Sequence, residues 1–261
     1  MSPSPSPGDR PAAMSGAEGP SRPATGVTPA PHAAAWPQVG VIIPALNEEE
    51  ALPGVLAELP PVAAVWVVDN GSTDRTAALA RAAGATVISE PKKGYGNACQ
   101  AGIRAALAAG VQVVVILDGD HADRPSDLPL LVDPILRGEA DFVLSDRTRG
   151  AQAGALLPHQ RAGNALAVAL IARSTGHRYA DMGPFRAIRA DHLAAMRLRD
   201  PNHGWNVEMQ MRAAQAGLRI REIPLPYQPR VGTSKVSGTV KGSVLAGVRI
   251  LRSVWRYRAK G

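Results

Sequence analysis

The amino-acid sequence predicts an α/β fold: a mainly parallel sheet with helices packed on it. Three observations predict it. Short apolar runs alternate with segments of helical periodicity over residues 39–149, the pattern of successive βαβ units. The run at residues 113–117 is aliphatic without alternation, as in a strand covered on both faces. That run and its counterparts end in polar loops, which a parallel sheet gathers at the C-terminal ends of its strands.

In chain order, residues 1–38 are dominated by Pro, Ala, Ser and Gly. They bury too little apolar surface to offset their ordering entropy and read as a disordered tail. The folded part is expected to start at Val39, with VGVIIP as a strand stopped by Pro44. Leu52, Val55, Leu56 and Leu59 then mark one face of a helix, where Pro53 fits only the first turn. VAAVWVVD is a second strand, TAALARAAG a helix closed by Gly84, and TVISE a third strand. GYGNACQAGIRAALAAG is a helix with Ile103, Ala106, Leu107 and Gly110 on one face. After the central strand comes a helix from Ser126 interrupted by Pro134, and then the strand DFVLSDR. Beyond Arg149 the alternation weakens. A long helix spans 157–176, RYADMGPFRAIR leads into a short strand, and a helix over 206–217 ends at Gly217. LRIREIPLPY is a strand whose Pro224 and Pro226 suit only a sheet edge. QPRVGTSKVSGT is a basic loop, and residues 239–261 form a last, basic helix. One domain over residues 39–238 accounts for everything between the tail and that helix.

Composition narrows the function. The chain has 261 residues, 45% of them hydrophobic, enough for a substantial core. A net charge of +7 favours anionic partners, but only 4% aromatic residues argues against a base-stacking nucleic-acid platform. The single cysteine, Cys99, excludes an internal disulfide and a Cys-rich zinc site. No run approaches the roughly 18 apolar residues of a membrane span, and no secretory signal is evident. A cytoplasmic location is expected.

The chemistry concentrates in four loops. They contain Pro44-Ala45-Leu46-Asn47-Glu48, Asp69-Asn70-Gly71-Ser72-Thr73-Asp74, Lys92-Lys93-Gly94-Tyr95-Gly96-Asn97 and Asp118-Gly119-Asp120. Paired carboxylates at a strand end repel one another. A hard divalent cation shared with a substrate phosphate would relieve that repulsion, since such ions take oxygen ligands and one or two protein carboxylates. The plainer alternative is an acidic turn leading into the next helix, with Ser126 as its cap. His159, His177 and His203 follow no metal-ligand spacing.

The signatures VIIPALNEE, VVDNGSTDRT, KKGYGNA, LDGD, FVLSDR, DMGPFRAI and RVGTSKVSGT resemble those of the family 2 glycosyltransferases, which have the GT-A fold. The last of them, with GWNVEMQMRAAQAGLRIREIPLPY before it, is most similar to the dolichyl- and polyprenyl-phosphate sugar synthases. The resemblance implies a single GT-A domain and inverting transfer of a hexose from a UDP- or GDP-hexose to a lipid phosphate. It implies that Pro44, Ala45, Asn47, Glu48 and Asp69 hold the nucleoside and Lys93 meets the donor phosphates. Asp118, Gly119 and Asp120 would meet the donor, with Asp118 and Asp120 binding Mg²⁺ or Mn²⁺. Arg147 and Arg161 would face the acceptor phosphate, while Arg230, Ser234 and Lys235 would close over the bound donor.

Two departures from the pattern stand out. Ala122 replaces a commonly metal-ligating Gln, leaving His121, Asp123 or water to fill the place; Asn70 replaces the second acid of D-D-G-S, a change expected to matter less. With a hydroxyl acceptor a base would be needed, and Asp181 and Glu208 are candidates, against plain roles as a loop cap and a helix surface charge. A nucleotidyltransferase would need a Gly-rich basic loop after the first strand, where this chain has the acidic PALNEEE. A catalytically weak nucleotide-binding homologue, suggested by Ala122, and a non-enzymatic basic surface remain as alternatives. RILRSVWRYRAKG suits a helix lying on the inner face of an anionic membrane, or equally one packed on the sheet with solvated charges.

Overall fold

The computed structural model describes residues 36–202, 204–232 and 252–257. Among these residues seven strands form one sheet in the order β3-β2-β1-β4-β6-β5-β7. They are β1 (Trp36–Ala45), β2 (Val62–Asp69), β3 (Thr86–Ser89), β4 (Val113–Ile116), β5 (Phe142–Asp146), β6 (Arg186–Arg189) and β7 (Ile220–Pro224). All pairings are parallel except those of β6, which runs antiparallel between β4 and β5. The C-terminal ends of the other strands, and the N-terminal end of β6, therefore share one edge.

The helices are α1 (Leu52–Glu58), α2 (Thr76–Ala82), α3 (Tyr95–Ala108), α4 (Leu128–Leu136), α5 (Arg147–Gly150), α6 (Pro158–Thr175), α7 (Ala190–Met196) and α8 (Gly204–Gln215). Residues 252–257 are helical as well. Central strands feed two cores by alternation. Ile42, Val114 and Ile116 face one with α3, α7 and α8, whereas Val41, Ile43, Val113 and Val115 face the other with α1 and α4. Both faces are covered, which is why these strands read as unbroken apolar runs. Gly102 lets α3 sit directly on the sheet, since a Cβ there would lie 2.3 Å from Cγ2 of Ile42.

Several boundaries differ from the sequence reading. β1 begins at Trp36, not Val39, because Trp36 pairs with Val62 and Gln38 accepts a bond from the Gln112 amide. Ser126 is not an N-cap; a 3₁₀ turn, Pro125–Asp127, leads into α4, which continues past Pro134 to Leu136. α7 is an additional helix, and α8 begins at Gly204. β7 is the edge strand its prolines require. The tail up to residue 35 and most of the basic helix over 239–261 lie outside the described residues.

Candidate active site

The first three loops are knitted together before any ligand enters. Asn47 takes a left-handed conformation (φ 53°) and its side-chain oxygen accepts a bond from the Thr73 amide at 2.7 Å. Its own amide donates to Ser72, and that of Glu48 to Thr76. Asp69 caps the next turn by accepting from the Ser72 amide. Pro44 and Ala45 are buried, in register with Val68 and Asp69. Lys93 is exposed on the loop after β3. Gly94 (φ 135°) and Gly96 have a steric reason in KKGYGNA: added Cβ atoms would lie 2.2 and 2.0 Å from the carbonyl oxygens of Pro201 and Asp200.

The D-x-D follows β4. Gly119 stacks against the loop after β1, where an added Cβ would lie 3.4 Å from Ile43 and 3.6 Å from Glu48. Asp118 accepts a hydrogen bond from the Tyr95 hydroxyl at 3.0 Å. Burial, and then the neighbouring charge of Asp120, raise the Asp118 pKa to about 6. Asp120 is 8% exposed; its Oδ1 accepts from the Ala122 amide and its Oδ2 lies 3.3 Å from Nη2 of Arg230. The same Arg230 nitrogen lies 3.3 Å from Oε1 of Glu48. One guanidinium thus bridges a carboxylate of the first loop and one of the fourth.

These features fit a divalent cation. The donors are hard oxygens, Asp118 is destabilised as an anion, and a cationic side chain already lies on Asp120. Among the described residues no group of three or more His, Cys, Asp or Glu is arranged to hold a metal. His121 does not replace the missing Gln: its imidazole packs on Gly54 of α1, with Nε2 3.2 Å from Glu58. Asp123 is 3% exposed, and neither of its carboxylate oxygens has a hydrogen-bond partner among the described residues. Burial raises its pKa well above the usual range, opposed by the charge of Arg147 and reinforced by Asp118 and Asp120.

Beside the carboxylates lies a cavity of about 470 Å³. Arg147, Thr148, Gln160, Arg161, Asn164, Asp181 and Tyr227 line it, with Leu156, Ala165, Val168 and Ala180 as apolar walls. Arg147 donates from its backbone amide, Nε and Nη2 to Asp181 at 2.8, 2.8 and 3.0 Å, and its guanidinium lies over the Tyr227 ring. Burial opposes the charge on Arg147, but the bonds to Asp181 more than restore it and raise the pKa. The Asp181 segment is held in turn. Glu222 accepts from the amides of Ala180 and Asp181, Asn164 accepts from that of Met182, and Gln210 donates to the Asp181 carbonyl.

With this arrangement established, the comparisons with known proteins decide the family. The sequence profile of glycosyl transferase family 2 matches residues 40–198. The chain belongs to that family. It is a glycosyltransferase. An uncharacterized glycosyltransferase of Mycobacterium tuberculosis is 40% identical over 211 residues, 80% of this chain and 94% of that protein. The undecaprenyl-phosphate mannosyltransferase of Micrococcus luteus is 34% identical over 226 residues, 81% and 92% of the two chains. Among solved structures, glucosyl-3-phosphoglycerate synthase of M. tuberculosis, in complex with Mn²⁺, UDP and glucosyl-3-phosphoglycerate, superposes with TM-score 0.66. It is 23% identical and the match covers 85% of this chain and 80% of that one, a likeness of fold.

Most of the transferase residues singled out in the sequence lie on the shared edge. Pro44 and Ala45 end β1 and Asp69 ends β2 at that edge, Asn47, Glu48, Lys93, Asp118, Gly119 and Asp120 lie in its loops, and Arg230 reaches it through Asp120 and Glu48. Arg147 and Arg161 line the adjoining cavity. Ser234 and Lys235 lie outside the described residues, as does His203. Two expectations need correction. Glu208 is neither a surface charge nor an available base. It is fully buried, with Oε2 accepting from the Arg199 and Asp200 amides and Oε1 paired with Arg212 at 2.9 Å. Asp181 is no plain loop cap but the bidentate partner of Arg147. Tyr95 and Tyr227 were missed as site residues, whereas Asp123, considered only as a stand-in for the absent Gln, proves to be buried beside them. Tyr95 lies inside a quoted signature, but only the folded chain reveals its bond to Asp118.

Proposed function

We propose that this glycosyltransferase moves a hexose from a UDP- or GDP-hexose to a polyprenyl phosphate, inverting the anomeric centre. The observation that carries the acceptor is the cavity holding Arg147 and Arg161 beside the D-x-D edge. Two guanidiniums suit a phosphate monoester, which they bind by paired N–H bonds. The charge of Arg147 acts on both Asp118 and Asp123, so the cavity and the carboxylates form one electrostatic unit. The name of the M. luteus relative agrees with a lipid-phosphate acceptor, and the ligands of the superposed synthase agree with a uridine nucleotide and Mn²⁺.

In this reading Pro44, Ala45, Asn47, Glu48 and Asp69 hold the nucleoside, and Lys93 meets the donor diphosphate. Asp118 and Asp120 would hold Mg²⁺ or Mn²⁺, which when bound would offset charge developing on the leaving nucleoside diphosphate. Arg230 would leave Asp120 as the donor enters and turn to the donor. Arg147, fixed by Asp181, orients the acceptor together with Arg161. A lipid phosphate arrives as an anion and needs no strong base. That agrees with a site where Asp181 and Glu208 are both committed to other partners. Asp123 supports a second reading, because its unpartnered carboxylate would suit a base for a hydroxyl acceptor.

The test supplies purified enzyme with Mn²⁺, labelled UDP-glucose or GDP-mannose, and either undecaprenyl phosphate or undecaprenol. Label entering only the phosphate lipid supports the proposal. Transfer to the alcohol, abolished in Asp123→Asn, would replace it with the second reading. No transfer from either donor would leave a nucleotide-binding homologue.

A further inference from the structure

We propose that Asn70 is a positioning residue for the donor diphosphate, acting through Lys93; this rests on the donor reading above. The replacement of a D-D-G-S acid by Asn70 looks conservative in sequence, but the geometry points to a required amide. Asn70 is 6% exposed, and its one side chain makes three bonds to the loop after β3. Nδ2 donates to the carbonyls of Glu90 and Lys92, both at 2.9 Å, and Oδ1 accepts from the Gly94 amide at 2.7 Å. The last two partners are the chain neighbours of Lys93 on either side. Only an amide satisfies this set, since it combines two N–H donors with an acceptor. An ionised carboxylate would set acceptor oxygen against two carbonyls and leave them unbonded at a mostly buried site.

The rest of the loop closes around the same residue. Asn97 donates from Nδ2 to the carbonyls of Lys92 and Lys93 at 3.3 and 3.1 Å, and the Lys92 amide donates to Oε1 of Glu90. Gly94 is pinned from behind by Pro201. The main chain at Lys93 is therefore held from the loop after β2, while the residue itself stands exposed at the edge. A lysine on a fixed backbone loses less freedom when it meets a phosphate than one on a loose loop, and misplacement by about 1 Å can cost 10²-fold in function. The asymmetry is specific: Asn70 touches the loop that presents the cation, so its loss should weaken recognition of the second phosphate more than that of the nucleoside.

The experiment is a double-mutant cycle on the full chain, with Mn²⁺ present. Binding of UDP and GDP, and of UMP and GMP as controls, is measured by isothermal titration for wild type, Asn70→Asp, Lys93→Ala and the double variant. Circular dichroism and thermal melting report folding, and Asn70→Ser serves as a second substitution should Asn70→Asp fail to fold. The expected result is a loss of tenfold or more in diphosphate affinity for the Asn70 variant, with under threefold for the monophosphate. In the Lys93→Ala background the same substitution should cost under threefold, because its route to the phosphate is gone. Additive effects, or equal losses for mono- and diphosphate, would overturn the clamp and leave the donor reading intact. A wild-type chain that binds no nucleoside diphosphate would overturn both.

Discussion

Asp118 sits where the fold would prefer a neutral side chain. It is desolvated, faces Asp120, and accepts one bond from Tyr95, whose own hydroxyl is kept protonated by burial. Its pKa rises from 3.8 to about 6, so the folded chain holds this proton more tightly than the unfolded chain does. The stability tied to that proton is fully present below pH 3.8 and is lost as pH rises through about 6. Asp118→Asn should therefore melt higher than wild type at pH 7.5 without metal, with the gap closing towards pH 4, while transfer activity is abolished. Thermal melting across pH checks the first part; a variant less stable than wild type at pH 7.5 would refute it. Activity in the wild type should fall as pH drops through about 6, and added Mn²⁺ should move that limit downward by competing with the proton. The repulsion within LDGD was legible in the sequence because a single glycine separates the two carboxylates. The opposite held for Glu208, whose partners Arg199 and Asp200 come from the preceding turn and depend on how α8 packs. Burial of a helical Glu is decided by tertiary contacts that local sequence does not encode.

Elements split along the same line. β1 to β4 and the helices between them were legible because each strand is an apolar run and each following helix has a periodic face. The loops at their ends were legible for the same reason: a parallel sheet puts them together whatever their sequence. β6 was found as a strand, but nothing local signals that it enters the sheet antiparallel between β4 and β5. That insertion matters for the site. It brings the segment before β6, with Asp181, up to the C-terminal end of β5, where Arg147 begins α5. Arg147 and Asp181 are 34 residues apart in sequence, and their side chains are 15% and 1% exposed. Removing one partner of such a pair strands a buried charge, at a typical cost of about 3–5 kcal/mol. Asp181→Asn should accordingly destabilise the fold by about 3 kcal/mol in urea unfolding. It should also weaken acceptor binding more than donor binding, since the guanidinium it holds lines the cavity. A catalytic base would behave otherwise, losing turnover with little change in stability, and that outcome would restore Asp181 to the role first considered for it.

At the scale of the whole molecule, the net charge of +7 calls for an anionic partner that one phosphate in a cavity does not exhaust. Among the described residues no helix is long and apolar enough to cross a membrane. The proposed lipid acceptor would be met at a membrane surface. The helical residues 252–257 have the composition for such a contact. Ser253 and Val254 are buried against the domain, Tyr257 bonds Asp200 and stacks with Arg212, and Trp255 stands 66% exposed between Arg252 and Arg256. An indole flanked by guanidiniums matches the headgroup level of a bilayer, where each basic residue adds about 1 kcal/mol on an anionic leaflet. The protein should float with phosphatidylglycerol vesicles at low ionic strength and be released as salt shortens the screening length to about 3 Å near 1 M. Trp255→Ala should reduce flotation, with circular dichroism reporting whether the fold is kept. Binding equally strong to neutral phosphatidylcholine, or unmoved by salt, would show that charge does not bring the enzyme to the membrane. Under that outcome the excess cations would serve the nucleotide and acceptor phosphates alone, and transfer to a lipid in vesicles should then be no more salt-sensitive than transfer to the same lipid in detergent.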